Sequence, residues 1–389
     1  MDLKFAPEDI AFQEEARTWL EENRPSEPRP SGWPDARDYD VAWQKAQFDA
    51  GWAGISWPAE WGGRDLSMLQ QLLWYEAYAR AHAPALGVNF VGMSHAGPTL
   101  MARGTHSQQA AHIPKILRGD EIWCQGFSEP SSGSDLASLS TRAEIDGDEL
   151  VVNGQKIWTS YANVADRQEL LVRTDPAVSK HKGITWVICD MSLPGIEIRP
   201  IRNIAGQEEF CEVFYENVRI PLSQVVGEVN SGWSVAMSTL SFERGTAFMA
   251  DIVELANTLE QLVEQSKQAS APLGKGSAYD DEAIRVQIAE LRAEVAALRA
   301  LNYATVSRIA RNGKPGVEGS IVRYYFSQLL QRTQSLGVEA LGATTVGGER
   351  FSPWARNQLN AFRASIAAGT KDIQRNIIGE RLLGLPKDR

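Results

Sequence analysis

Three short stretches carry residue types that could do chemistry. The first is Gln125-Gly126-Phe127-Ser128-Glu129-Pro130-Ser131-Ser132-Gly133-Ser134-Asp135, a run of hydroxyls and small residues following a strand-like segment. Such a loop can approach a flat, polar-edged molecule closely and donate backbone N–H groups to it. The same composition also describes a Ser/Gly turn closed by an Asx cap. The second, Lys156-Ile157-Trp158-Thr159-Ser160-Tyr161-Ala162, ends another strand-like segment. An aromatic beside two hydroxyls suits shielding one face of a ring system, and it equally suits a core tryptophan next to an exposed Thr-Ser pair. The third, Leu240-Ser241-Phe242-Glu243-Arg244-Gly245, sets a carboxylate beside a guanidinium on a long apolar-periodic stretch. Taken alone, that pair reads as a surface glutamate with a charged neighbour.

Other chemistries find less support. The five histidines (His82, His95, His106, His112, His181) include no HExxH and no i, i+4 pair, so they read as capping, surface or packing residues and no metal site is expected. Cys124, Cys189 and Cys211 have no close pairing, which argues against a disulfide framework and a zinc ribbon and for a reducing cytoplasm. There is no GxSxG, no phosphate-loop signature and no GxGxxG opening a helix after a strand. A net charge of −10 without a Lys/Arg block makes nucleic acid a poor partner. No apolar run approaches bilayer length, and the acidic N-terminus lacks the apolar stretch of a signal peptide, so a cytoplasmic protein without membrane insertion is expected.

The elements that must position these residues follow from composition. With 389 residues, 43% hydrophobic and 23% charged, the chain allows two or three domains with large cores. Residues 1–121 read as helices: Phe12, Ala16, Trp19 and Leu20 recur at helical spacing after Pro7, Ser67 with Gln70 suits a capping box, and Ser107 and Gly119 bracket a further helix. Residues 122–229 read as strands. Asp146-Gly147 and Asn153-Gly154 suit tight turns, Pro200 and Pro221 suit strand ends, and no helical stretches intervene, so an antiparallel barrel or sandwich is expected. Residues 230–389 return to long helices, Trp233–Val263, Asp281–Arg311 and Val317–Leu341, as a four-helix bundle. A polar stretch from Gln265 to Asp280 reads as a loop, and Ile284, Ile288, Leu291, Val295 and Leu298 form a bundle face that another subunit could share.

Together these features resemble the acyl-CoA dehydrogenases. GFSEPSSGSDLASL is similar to their flavin-loop signature, QKIWTS to their second flavin strand, and Ala367-Ala368-Gly369-Thr370-Lys371-Asp372-Ile373-Gln374-Arg375-Asn376 to their C-terminal signature, in family order and spacing over essentially the whole chain. The resemblance implies an α+β, three-domain fold, bound FAD, and α,β-desaturation of an acyl-CoA thioester with an electron-transfer flavoprotein as acceptor. Carried over by position, it implies that Gln125, Phe127, Ser128, Gly133 and Ser134 line the flavin edge and thioester entrance. Trp158 would sit by the isoalloxazine, Ser160 near its reactive nitrogen, and Thr370 would contact it from the C-terminal side. The backbone N–H of Ala368 would meet the thioester carbonyl.

Two departures from the family pattern sharpen the expectation. Many members place the catalytic glutamate immediately before the Gly-Thr of the C-terminal signature, where this chain has Ala368. A subset carries it on the first long helix of the last domain, and the resemblance then assigns Glu243 as base with Arg244 in support. The Arg-x-x-Phe-Gly loop that family homotetramers present to a neighbour's cofactor is missing, while Glu282 and Glu339 stand where glutamines are common. A carboxylate facing a pyrophosphate is repelled. Either Lys275 or Arg285 compensates in a homotetramer, or a related subunit completes an α2β2 heterotetramer. The second arrangement fits the base-bearing subunits of steroid side-chain acyl-CoA dehydrogenases, which this chain resembles in TSYA, FERG and IQRNIIGERLLGLP. An oxygen-using acyl-CoA oxidase and a non-catalytic subunit completing a partner's flavin site are the alternatives.

Overall fold

The structure is a computed structural model and describes residues 5–242, 248–271, 276–312, 316–345 and 352–387. In chain order the helices are α1 (Pro7–Asn23), α2 (Asp35–Asp49), α3 (Met68–Arg80), α4 (Gly97–Arg103), α5 (His106–Arg118), α6 (Gly232–Phe242), α7 (Phe248–Gln268), α8 (Glu282–Asn312), α9 (Glu318–Leu341), α10 (Pro353–Ala361) and α11 (Lys371–Ile377). Between α5 and α6 lie β1 (Trp123–Gly126), β2 (Arg142–Asp146), β3 (Glu149–Ser160), β4 (Arg167–Arg173), β5 (Ile184–Asp190), β6 (Ile196–Ile201), β7 (Phe210–Pro221) and β8 (Val225–Val226). These elements group into two compact units: Asn23–Ser67 with Pro84–Glu243, and Met1–Glu22 with Met68–Ala83 and Arg244–Arg389.

The first unit is built on one eight-stranded sheet in the order β6-β7-β3-β2-β4-β5-β8, with β1 beside β4. Most neighbours are antiparallel, as expected, but β1 runs parallel to β4, and Arg142 of β2 meets Arg173 of β4 in a parallel pairing. A parallel pair needs a long connection, and the chain between β1 and β4 supplies one, containing the flavin-like loop and the β2–β3 hairpin. The apolar runs of β4 and β5 are buried on both faces. Leu171, Ile184, Trp186 and Ile188 pack with Leu100, Ile113, Ile116 and Val235 of the helices, whereas Leu170, Val172, Val187 and Cys189 join Leu150, Val152 and Val213 on the other face.

Local chemistry explains where expectation and structure part. Helix α5 is capped by Thr105, not Ser107: Thr105 Oγ1 accepts from the Gln108 N–H, and Gln108 Oε1 accepts from the Thr105 N–H. Its end is Gly119, at φ +74°. Asp146-Gly147 makes the expected β2–β3 turn, but Asn153-Gly154 lies inside β3 as a bulge, with Gly154 at φ +153°. Pro200 lies within β6, an edge strand whose outer side needs no N–H donor.

In the second unit, α7, α8, α9 and α10 share one core. Ile284, Ile288, Leu291, Val295 and Leu298 are all buried there against Leu255, Leu259, Leu329 and Leu336, so this stripe serves the chain's own bundle and not a neighbour. The stretch expected as one helix over Trp233–Val263 is described as α6 and α7, with residues 243–247 outside the described residues. Helix α7 takes Gln265–Gln268 from the expected loop, and beyond it Ser277 and Asp280 form a capping box. α1 and α3 belong to this helical unit, while α2, α4 and α5 belong to the sheet unit.

Candidate functional site

The sheet unit brings the first two motifs together. Strand β1 delivers Gln125, the chain turns at Pro130 and Ser131 between the bridged Glu129 and Ser132, and the Ile157 N–H of β3 donates to Ser128 O at 3.0 Å. Beneath the loop is a pair that the sequence reading missed. Lys156, wholly buried, reaches Glu129 Oε1 at 2.8 Å and Phe127 O at 3.1 Å. Glu129 also accepts from the N–H and hydroxyl of Ser140 and from the N–H of Thr141. Burial would raise the Glu129 carboxyl, but the Lys156 charge and these donors outweigh it and bring it down to about 2. Burial lowers Lys156 to about 8 against the pull of Glu129. Both groups are therefore charged at neutral pH, and the pair clamps the loop onto β3 from inside.

The clamp leaves particular groups outward. Ser128 is half-buried and Gly133 and Ser134 are exposed. Phe127 is buried in the helix-facing core and its carbonyl is engaged by Lys156, so it offers the loop's outer side its N–H at most. A second register shift in β3, between Lys156 and Thr159, accompanies Trp158 at φ +60°, and the residue is 57% exposed. A tryptophan held in a left-handed conformation on a strand, edge-on to Phe210 at 6.1 Å, is displayed and is no core residue. Ser160 is half-buried at the strand's end. Gln125 is fixed by its own amide, which donates to Glu169 Oε1 at 2.7 Å and lies 3.1 Å from His95 Nδ1. His95 is carried on a π-helical turn, Gly92–Ala96. Exposed indole face, hydroxyls and loop donors make a set suited to a flat ring with polar edges, and FAD fits it.

The helical unit holds the C-terminal motif. Ala368 at φ +52° and Gly369 at φ +87° make a left-handed turn before Thr370, whose hydroxyl accepts from the Ile373 N–H and caps α11. Arg323 of α9 donates to Ala367 O at 2.9 Å, and the buried Gln374 donates to Ala368 O and Gly369 O at 3.2 and 3.3 Å. Arg375 bonds Tyr324 Oη at 2.7 Å. Glu243, Arg244 and Lys275 lie outside the described residues. Glu282 and Glu339 are both exposed, on α8 and α9. Among the described residues no group of three or more His, Cys, Asp and Glu side chains could hold a metal ion, and no helix is long and apolar enough to cross a membrane.

Comparison with known proteins defines the class. The acyl-CoA dehydrogenase N-terminal, middle and C-terminal domain families match residues 6–120, 124–218 and 230–383. The chain belongs to the acyl-CoA dehydrogenase family, with its helical, sheet and helical domains in that order. It is accordingly an oxidoreductase acting on acyl-CoA and a flavoprotein that uses FAD. Among particular relatives, the acyl-CoA dehydrogenase IpdE1 of Mycobacterium tuberculosis is 37% identical over 386 residues, covering 97% of this chain and 98% of that protein. The structure is similar to that of the Tcur3481-Tcur3483 steroid ACAD (29% identity, TM-score 0.86, all of both chains covered). It is also similar to the ChsE4-ChsE5 complex from Mycobacterium tuberculosis (29% identity, TM-score 0.84, all of both chains covered).

Proposed function

We propose that this chain is the base-bearing subunit of a cytoplasmic acyl-CoA dehydrogenase that desaturates a bulky, steroid side-chain-like acyl thioester. Glu243 is the base and Arg244 supports its position and charge. Removing a proton next to a thioester needs a carboxylate in a dry site, where its affinity for the proton rises. Gln125, Phe127 (through its backbone), Ser128, Gly133, Ser134, Trp158, Ser160 and Thr370 are the residues assigned to the cofactor. When bound, FAD supplies the acceptor for the β-hydrogen as hydride. The Ala368 N–H donates to the thioester carbonyl, where negative charge develops as the proton leaves. With alanine at 368 in place of a glutamate, side-chain volume is freed for a branched or ring-bearing acyl group.

The observation that carries this reading is the displayed Trp158 beside a loop clamped by Lys156 and Glu129, in a chain with the family's full domain complement. Assembly with a related subunit, and electron transfer to an electron-transfer flavoprotein, complete the proposal. The partner is favoured by the missing Arg-x-x-Phe loop, by exposed Glu282 and Glu339, and by similarity to solved paired dehydrogenases. The test is anaerobic mixing of the FAD-loaded protein, alone and with a related subunit, with a steroid side-chain acyl-CoA and a straight-chain acyl-CoA. Loss of the oxidised flavin's visible absorbance, faster with the bulky thioester, is expected. No loss with any acyl-CoA would contradict the reading.

A further inference from the structure

The turn before Thr370 is arranged in a way that its fold alone does not require. Ile366 is right-handed (φ −114°, ψ −54°), whereas Ala368 and Gly369 are left-handed at φ +52° and +87°. For alanine that conformation is disfavoured by its Cβ. Glycine suits 369 because φ +87° is a conformation that L side chains rarely adopt, and a Cβ there would also displace the Gln374 amide, 2.7 Å away.

Three consecutive carbonyls of this turn, at 367, 368 and 369, are taken by two side chains, Arg323 from α9 and Gln374 from α11. Gln374 is 3% exposed and commits its amide N–H to the turn, although its Oε1 is buried without a hydrogen-bond partner. The opposite amide orientation would set oxygen against two carbonyl oxygens, so the donor must face the turn. Among the described residues, nothing accepts from the N–H of Ala368 or of Gly369.

A trans peptide points its C=O and N–H in opposite directions. The Ala367 carbonyl and the Ala368 N–H belong to one peptide, and the Ala368 carbonyl and the Gly369 N–H to the next. Drawing the carbonyls inward therefore turns the two N–H groups outward. Hydrogen bonds through one peptide also polarise each other, so a guanidinium on the Ala367 oxygen makes the Ala368 N–H a stronger donor.

We propose that Arg323 and Gln374 are positioning residues for the thioester carbonyl, holding and polarising the 367–369 turn so that Ala368 and Gly369 both donate to the oxygen that becomes the enolate. This rests on the reading that Ala368 meets the thioester. Neither side chain touches the reacting atoms. Their effect is selective for charge on that oxygen, which a merely structural role would not be.

The test compares two ligands on the FAD-loaded protein, with its partner subunit if FAD retention requires one. Acetoacetyl-CoA ionises to an enolate on binding, and an S-alkyl-CoA thioether of similar length has no carbonyl. Arg323→Met and Gln374→Met should weaken acetoacetyl-CoA binding, and the long-wavelength band of its enolate against the flavin, about tenfold. Thioether binding should change less than about twofold, and Arg323→Lys should recover most of the loss because a cationic donor returns. Equal weakening of both ligands, or no weakening of either, overturns the proposal. If Arg323→Met does not fold, Gln374→Met and Arg323→Lys carry the same comparison. If the unsubstituted protein binds the thioether and not acetoacetyl-CoA, the positioning proposal fails while the acyl-CoA reading stands. If it binds neither, the acyl-CoA reading itself fails.

Discussion

Among single residues, a few groups are held in unusual states. Trp158 and Ala368 both take left-handed backbone conformations without being glycine, and both belong to motifs that the proposed function assigns to the cofactor or thioester. Strain of this kind persists only where surroundings over-determine it. Trp158→Ala should leave the melting temperature nearly unchanged, since the ring is exposed, while weakening FAD retention measured by dialysis and flavin absorbance. Normal retention would mean that the ring's display serves something else. Glu129 gives a prediction in pH. Its ordinary value of 4.5 falls to about 2 in the folded chain, so its ionised contacts stabilise the fold fully above about 4.5 and are lost as pH falls toward 2. Glu129→Gln should therefore flatten the dependence of stability on pH across that window, as read by denaturant melts at stepped pH.

At the scale of elements, strand β3 does most of the positioning, through two bulges and one buried cation. Removing one partner of a buried ion pair leaves an uncompensated charge, so Lys156→Met should cost about 3–5 kcal/mol. The double change with Glu129→Gln should cost markedly less, which a double-mutant cycle of chemical denaturation would measure. Gly154→Ala should destabilise by about 1–3 kcal/mol, because its Cβ would meet Thr141 Oγ1 at 2.6 Å in a backbone conformation that disfavours any side chain. These elements also mark where the sequence was readable. The apolar runs of β4 and β5 and the long stripe of α8 declare themselves by period. Asn153-Gly154 did not, because the dipeptide that makes a hairpin turn also makes a bulge, and only the pairing with β7 separates them. The Lys156–Glu129 clamp was hidden for a different reason. Its partners sit on separate segments, and a lysine in a strand gives no sign that it will be wholly buried. The Ser128 loop and the Trp158 strand were legible as motifs, whereas Arg323 and Gln374 became candidates only when α9 and α11 were seen against the 367–369 turn.

At the scale of the whole molecule, the chain has a buried face on α8 where a subunit contact was conceivable, and exposed carboxylates, Glu282 and Glu339, where a cofactor pyrophosphate would be repelled. Self-sufficiency in FAD is thus the weaker expectation. Purified alone, the protein should show little flavin absorbance. Co-purified with a related subunit carrying the missing Arg-x-x-Phe loop, it should show full bands, and strong bands in the lone protein would count against shared assembly. The proposed function places the chain's own base, Glu243, between α6 and α7 in the sequence. The most direct measurement is rapid anaerobic mixing of Glu243→Gln, matched to the unsubstituted protein in FAD content, with an acyl-CoA that bleaches the latter. Tight binding with bleaching slowed by about 10²–10⁴-fold is expected. Bleaching at the unsubstituted rate would show that the proton leaves to another group.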